Sequence, residues 1–140
     1  EGYFTNTTYD EVGNVVLVTD PNVSTTSLVY DMLDRLESQT DPLGNVTQFE
    51  YDKVGNQVTK IDPLNIATKY KYDPLYRLTT VIQNFVSSAP ELVDQNVDTR
   101  YAYDETGNLI SITDPRDKVT TFEYDEIGQL VAEVNPLSNR

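Results

Sequence analysis

The chain has 140 residues, a net charge of −13, and no Cys, His or Trp. Without Cys and His it lacks thiolate nucleophiles, imidazole bases, disulfide staples and the usual zinc ligands. Its acidity disfavours nucleic acid and anionic membranes as partners, and no apolar run approaches the roughly 20 residues of a membrane-spanning helix.

In chain order, six Tyr-Asp pairs organise everything else: Tyr9-Asp10, Tyr30-Asp31, Tyr51-Asp52, Tyr72-Asp73, Tyr103-Asp104 and Tyr124-Asp125. Their spacings are 21, 21, 21, 31 and 21 residues. Four residues before each Tyr stands Thr: Thr5, Thr26, Thr47, Thr68, Thr99 and Thr120. Eleven after it comes Asp20, Asp41, Asp62, Gln83, Asp114 or Asn135, and Pro21, Pro42, Pro63, Pro115 and Pro136 follow in five of the six. A register kept this strictly marks a repeat protein.

Each unit predicts two short strands and two turns. In the third, residues 47–51 alternate as Thr-Gln-Phe-Glu-Tyr, the period of a strand. Residues 52–56 read as a turn, in which Asp52 bonds backbone N–H groups ahead of it and Gly55 takes positive φ. Gly13, Gly107 and Gly128 hold the same place in their units. Residues 57–61 form the return strand. Asp62-Pro63 opens the second turn, as do Pro21, Pro42 and Pro115 in theirs, because Pro presets φ for a turn's second position. Both connections are short, so neighbouring strands should run antiparallel.

Placing each Tyr opposite the residue six further on collects columns on one face. That face pairs the residue two before Tyr (Thr7, Leu28, Phe49, Tyr70, Tyr101, Phe122) with the residue eight after it (Leu17, Ser38, Thr59, Thr80, Ser111, Ala132). Large against small is what cross-strand packing favours, so this face is expected to be the covered one.

The expected fold is all-β: tandem 21-residue antiparallel β-hairpins forming one long curled or spiralling meander sheet over residues 1–140. A parallel β-solenoid also tolerates a 21-residue period. Such a sheet has no second layer and two open edges, which invite more repeats of the same chain or identical copies, so the expected role is structural, as the wall of a β-shell or an extracellular fibre built by strand pairing. With Glu1 in place of an initiator Met, the chain is expected to be part of a longer protein or an assembly.

The unit Thr-x-x-x-Tyr-Asp-x-x-Gly-Asn-Leu-x-x-x-Thr-Asp-Pro-x-Gly-x-x-Thr resembles the YD or Rhs repeat, most closely over residues 103–120. It is similar to the β-shell repeats of Rhs polymorphic toxins, insecticidal toxin complex shell proteins and teneurins. The resemblance implies a strip that spirals into a hollow shell, and a secreted or cell-surface setting. Departures such as Asp34-Arg35 and Tyr76-Arg77 for Gly-Asn, and Val23, Asn65, Asp117 and Ser138 for Gly44, are expected to loosen the turn types without breaking the register.

The Asp columns could bind calcium along a rim, but each Asp has a job in its own turn, and the expectation is no cofactor. Carboxylates repeated in every hairpin lack the single distinctive environment of a catalytic pair, so no enzyme is expected. The tyrosines could stack on glycans, in the manner of an adhesin; their regularity favours a ladder packed within the sheet. The irregular insertion at residues 83–98 carries Phe85, Val86, Leu92 and Val93, which either contact a partner or fold back over the strip.

Overall fold

A computed structural model of the chain describes residues 4–86 and 95–136. Among the described residues there are twelve strands: β1 (Asn6–Tyr9), β2 (Val15–Thr19), β3 (Thr25–Tyr30), β4 (Leu36–Thr40), β5 (Val46–Tyr51), β6 (Gln57–Ile61), β7 (Ala67–Tyr72), β8 (Leu78–Phe85), β9 (Val97–Tyr103), β10 (Leu109–Thr113), β11 (Val119–Tyr124) and β12 (Leu130–Val134). They follow one another in sequence order in one open sheet. The ladders from β1 to β6, and those from β8 to β12, are antiparallel. The hairpin expectation therefore holds, and the parallel solenoid is set aside.

By Cα proximity the chain divides into two compact units, Glu1–Ala67 and Thr68–Arg140. In each, one Thr-to-Tyr strand shows the expected alternation throughout, β5 in the first and β11 in the second. Thr47, Phe49 and Tyr51 of β5 are half-buried between exposed neighbours, as are Thr120, Phe122 and Tyr124 of β11. No apolar side chain among the described residues is fully buried; the one residue that is, at 1 % exposure, is Thr59. A single layer of short strands offers lateral cover only, so apolar groups are screened by their neighbours and not enclosed.

The cross-strand register departs from expectation in one respect. Tyr9, Tyr30, Tyr51, Tyr103 and Tyr124 do face the residue six further on, as in Tyr9 with Val15, Tyr51 with Gln57 and Tyr124 with Leu130. One residue beyond, the register shifts: Glu50 faces Thr59 and Phe49 faces Lys60. Likewise Leu28 faces Gln39, Tyr101 faces Ile112 and Phe122 faces Glu133. The residue two before Tyr thus opposes the ninth after it, and the large-against-small pairing with Ser38, Thr59 or Ala132 is incorrect. A β-bulge inserts the residue seven after Tyr (Val16, Glu37, Val58, Ile110 or Val131) into the return strand, setting two residues against one.

The turns are more uniform than expected. In the hairpin of residues 10–14, the Asp10 N–H donates to the Asn14 carbonyl and Gly13 N–H donates to the Asp10 carbonyl. The turn that follows, residues 20–24, has the same pair of bonds, Asp20 to Ser24 and Val23 to Asp20. Both rims of the sheet therefore use one turn type. Its fourth residue has positive φ whether it is Gly (Gly44, φ 84°) or not (Val23, 65°; Asp34, 59°; Asn65, 63°; Tyr76, 62°; Asp117, 56°). These substitutions for Gly do not loosen the turn; the neighbouring ladders hold those residues in the left-handed region despite its cost. Ser138 lies outside the described residues.

Residues 83–98 are hairpin at both ends. β8 and β9 run past the length of the other strands, with Ile82 opposite Asp98 and Gln83 opposite Val97. Asn96 N–H donates to the Asn84 carbonyl, and Val86 N–H to Asn96 Oδ1. Phe85 and Val86 are half-buried; Leu92 and Val93 lie outside the described residues.

Candidate functional site

The chemistry of the sequence is concentrated on the two rims, where the turns begin with Asp except at Gln83 and Asn135. Asp10 Oδ1 accepts N–H bonds from Val12 (3.1 Å), Gly13 (2.8 Å) and Asn14 (2.8 Å). Asp31, Asp52, Asp73, Asp104 and Asp125 each accept from the N–H groups two and four residues ahead. On the other rim, Asp20, Asp41, Asp62 and Asp114 do the same. Pro21, Pro42, Pro63 and Pro115 occupy the second position of those turns, where a fixed φ is wanted and no N–H is needed. Gly13, Gly55, Gly107 and Gly128 occupy the fourth position of the first-rim turns, at φ 79° to 102°.

The second carboxylate oxygen takes a side chain five residues after Tyr. Asn56 Nδ2 donates to Asp52 Oδ2 at 2.9 Å, and Asn108 Nδ2 to Asp104 Oδ2 at 2.9 Å. In two repeats that position is Arg. Arg35 Nε donates to Asp31 Oδ2 at 2.8 Å, and Arg77 Nε to Asp73 Oδ2 at 2.7 Å.

These donors favour the ionised carboxylate. Asp31 is lowered by the Arg35 side chain first, and Asp41 by the Asn45 amide first. Asp73 is lowered chiefly by the Arg77 N–H. In Asp10 and Asp52 desolvation pulls upward, and the combined hydrogen bonds outweigh it. Asp104 reaches about 2, led by the Thr106 hydroxyl, which donates to its Oδ1 at 2.8 Å. A carboxyl held this low is a poor proton donor near neutrality. Among the described residues no three acidic side chains gather as a metal-ligand set.

The tyrosines connect successive hairpins. Tyr51 Oη donates to the Leu36 carbonyl (3.0 Å), Tyr103 to Leu78 (2.9 Å) and Tyr124 to Leu109 (3.0 Å). Tyr30 and Tyr72 are half-buried, and Tyr9, on the first strand, is exposed. The two arginines reinforce this link. Arg35 also donates from Nη1 to the Asp52 carbonyl (2.9 Å) and lies 4.7 Å from the centre of the Tyr51 ring. Arg77 repeats the arrangement with the Asp104 carbonyl (2.9 Å) and Tyr103 (4.8 Å). Neither Arg was expected as a functional residue. The available signal was their shared place, five after Tyr, where the other units have a shorter amide.

At the insertion, Lys69 Nζ lies 5.6 Å from the centre of the Phe85 ring. Phe85 and Val86 border an open cleft with Lys71, Thr80, Ile82 and Asp98. The structure thus brings these two predicted partner-contact residues together beside a β-hairpin extension.

The RHS repeat family matches the chain over residues 9–46, 30–65, 51–84 and 98–140. No curated protein sequence matches it. Among solved structures, it is similar to a TcdB2-TccC3 complex without its hypervariable C-terminal region, with TM-score 0.79 and 24% identity, covering 95% of this chain and 7% of that one. A second TcdB2-TccC3 structure gives TM-score 0.77 and 24% identity over 95% of this chain and 7% of that one. The Tc holotoxin pore of Photorhabdus luminescens gives TM-score 0.52 and 18% identity over 97% of this chain and 9% of that one. At these identities the likeness is one of fold, and the chain spans less than a tenth of the length of each. With the repeat matched over most of its length and the hairpins arranged as a repeat array, the chain belongs to the RHS repeat family.

Proposed function

We propose that this chain is a non-enzymatic wall segment of a secreted or cell-surface protein, one stretch of a shell built from a single β-sheet. The observation that carries the reading is a contrast. No described apolar side chain is fully buried, yet each Tyr-to-carbonyl bond and each Arg clamp ties one hairpin to the next. Contacts of this kind extend an array without closing it, which suits repeat proteins whose units touch mainly their neighbours. Fold likeness to the toxin-complex structures supports the same reading. The turn aspartates give their oxygens to their own backbone, which suits scaffolding and not hydrolysis.

Electron microscopy of the native protein that carries this segment tests the proposal. Hollow particles with a wall one sheet thick are expected. Compact solid particles, or monomers that bind a defined glycan on an array and enclose nothing, would replace the wall with an adhesin.

A further inference from the structure

The two arginine clamps define what a guanidinium needs in this fold. It needs the carboxylate of the turn Asp, the carbonyl of the next repeat's turn Asp, and the ring face of the Tyr before that Asp. In the following repeat, position 108 is Asn. Its amide nitrogen bonds Asp104 Oδ2 and, at 3.0 Å, Thr106 Oγ1, both within its own turn. The corresponding partners are nonetheless present. Asp104, Tyr124 and Asp125 line an open cleft of about 630 Å³, with Asn108, Glu126 and Ile127.

Tyr124 and the Asp125 carbonyl are prepared as in the Arg repeats, while Asp104 Oδ2 holds the Asn108 amide that an incoming guanidinium would displace. The Tyr124 hydroxyl is bonded to the Leu109 carbonyl, as Tyr51 is to Leu36, so its ring is anchored in the same way. The Asp125 carbonyl accepts Gly128 N–H at 3.0 Å, as the Asp52 carbonyl accepts Gly55 N–H at 3.3 Å. A carbonyl has a second lone pair, and at Asp52 that capacity serves Arg35. Glu126 follows Asp125 as Glu105 follows Asp104 in the Arg77 clamp, so the cleft carries the same acidic residue at that place. A planar guanidinium can bridge carboxylate and carbonyl while lying on an aromatic face; a compact ammonium cannot make all three contacts at once.

We propose that the cleft between the turns at Asp104 and Asp125 is a guanidinium site that receives an arginine side chain from a partner chain. The proposal goes beyond the wall reading and does not depend on it. Its geometry is copied from Arg35 and Arg77, and its ligand is the group those repeats supply themselves.

Proton and nitrogen NMR of the full chain during titration with N-acetyl-arginine-N-methylamide tests it, with the matching citrulline compound as an uncharged control of the same shape. Saturable shifts confined to the Tyr124 ring and the Asp125 to Gly128 amides are expected with arginine, and none with citrulline. In Asn108→Arg the protein's own guanidinium should occupy the cleft, and the arginine-dependent shift should be lost. Equal shifts with citrulline, shifts spread over all six repeats, or undiminished binding by folded Asn108→Arg would overturn the proposal. The arginine–citrulline contrast on the unaltered chain decides the matter even if the variant does not fold.

Discussion

The Tyr51 hydroxyl donates to the Leu36 carbonyl at 3.0 Å, joining the hairpin that β5 begins to the one that β4 ends. Tyr103 and Leu78 are joined in the same way across the insertion, although 25 residues separate them in sequence against 15 for Tyr51 and Leu36. The ladder thus keeps its step where the sequence period breaks. The repeated Tyr has a structural reason: ring packing and one hydroxyl donor aimed at a neighbour.

Replacing that hydroxyl isolates its contribution. Tyr51→Phe keeps the ring and leaves the Leu36 carbonyl without this donor, at a cost of about 1 kcal/mol. Tyr103→Phe and Tyr124→Phe should cost similar amounts, read as lower urea midpoints with unchanged slope. No loss in any of the three would mean that the ring alone accounts for the column.

The arginines should behave differently from lysine. Arg35→Lys keeps the charge but cannot bond Asp31 and the Asp52 carbonyl while stacking on Tyr51. The stacking alone accounts for about 0.5–1 kcal/mol. Arg35→Lys and Arg77→Lys are therefore expected to be less stable than the unaltered chain in urea unfolding, and their equality with it would remove the clamp from this account.

Turn conformation yields a pair of opposite effects. Val23 is β-branched at φ 65°, where an L side chain costs about 1–2 kcal/mol. Val23→Gly relieves that strain, and after the extra freedom of Gly in the unfolded chain the net gain is about 0.5 kcal/mol. Gly44→Val, at φ 84° with nothing within 4 Å of the added Cβ, should lose about 1–2 kcal/mol from backbone strain alone. Thermal unfolding of both variants checks the signs.

Acid should weaken the turns within a defined window. Asp10, Asp31, Asp41, Asp52, Asp73 and Asp104 are all lowered from 3.8 in the folded chain. Their contribution is complete above that unfolded value and is lost as pH falls through each folded value, down to about 2 for Asp104. Thr106→Val removes the leading donor to Asp104, so its carboxyl should titrate at higher pH by carbon-detected NMR. An unchanged titration would show that the hydroxyl does not hold it.

Much of this architecture could be read from residue spacing. Asp and Pro at fixed distances from Tyr locate both turns, and the facing of Tyr with the residue six further on follows from the turn length. The bulge could not be read, because an extra residue such as Val58 looks like any other strand residue and only the backbone pairing reveals it. The uniform turns were hidden for a related reason. Val23 and Tyr76 have side chains that disfavour positive φ, and ladder pairing on both sides overrides that local preference. The Arg clamps were legible as substitutions but not as links, since Arg35 meets Asp52 and Tyr51 only once the hairpins lie side by side.

Successive strands pair antiparallel, so that Ser38 faces Gln48 across β4 and β5, while like residues of adjacent repeats lie two strands apart. The chain contains no cysteine, so introduced pairs report without background. Facing residues of an antiparallel ladder are about 4.5–5.5 Å apart at Cα, within disulfide reach, whereas two strands span roughly 9.6 Å, beyond it. Oxidation of Ser38→Cys/Gln48→Cys should give an intramolecular disulfide, and Thr26→Cys/Thr47→Cys should not. A disulfide in the second pair and none in the first would mean that repeats stack in parallel, and the account would fail.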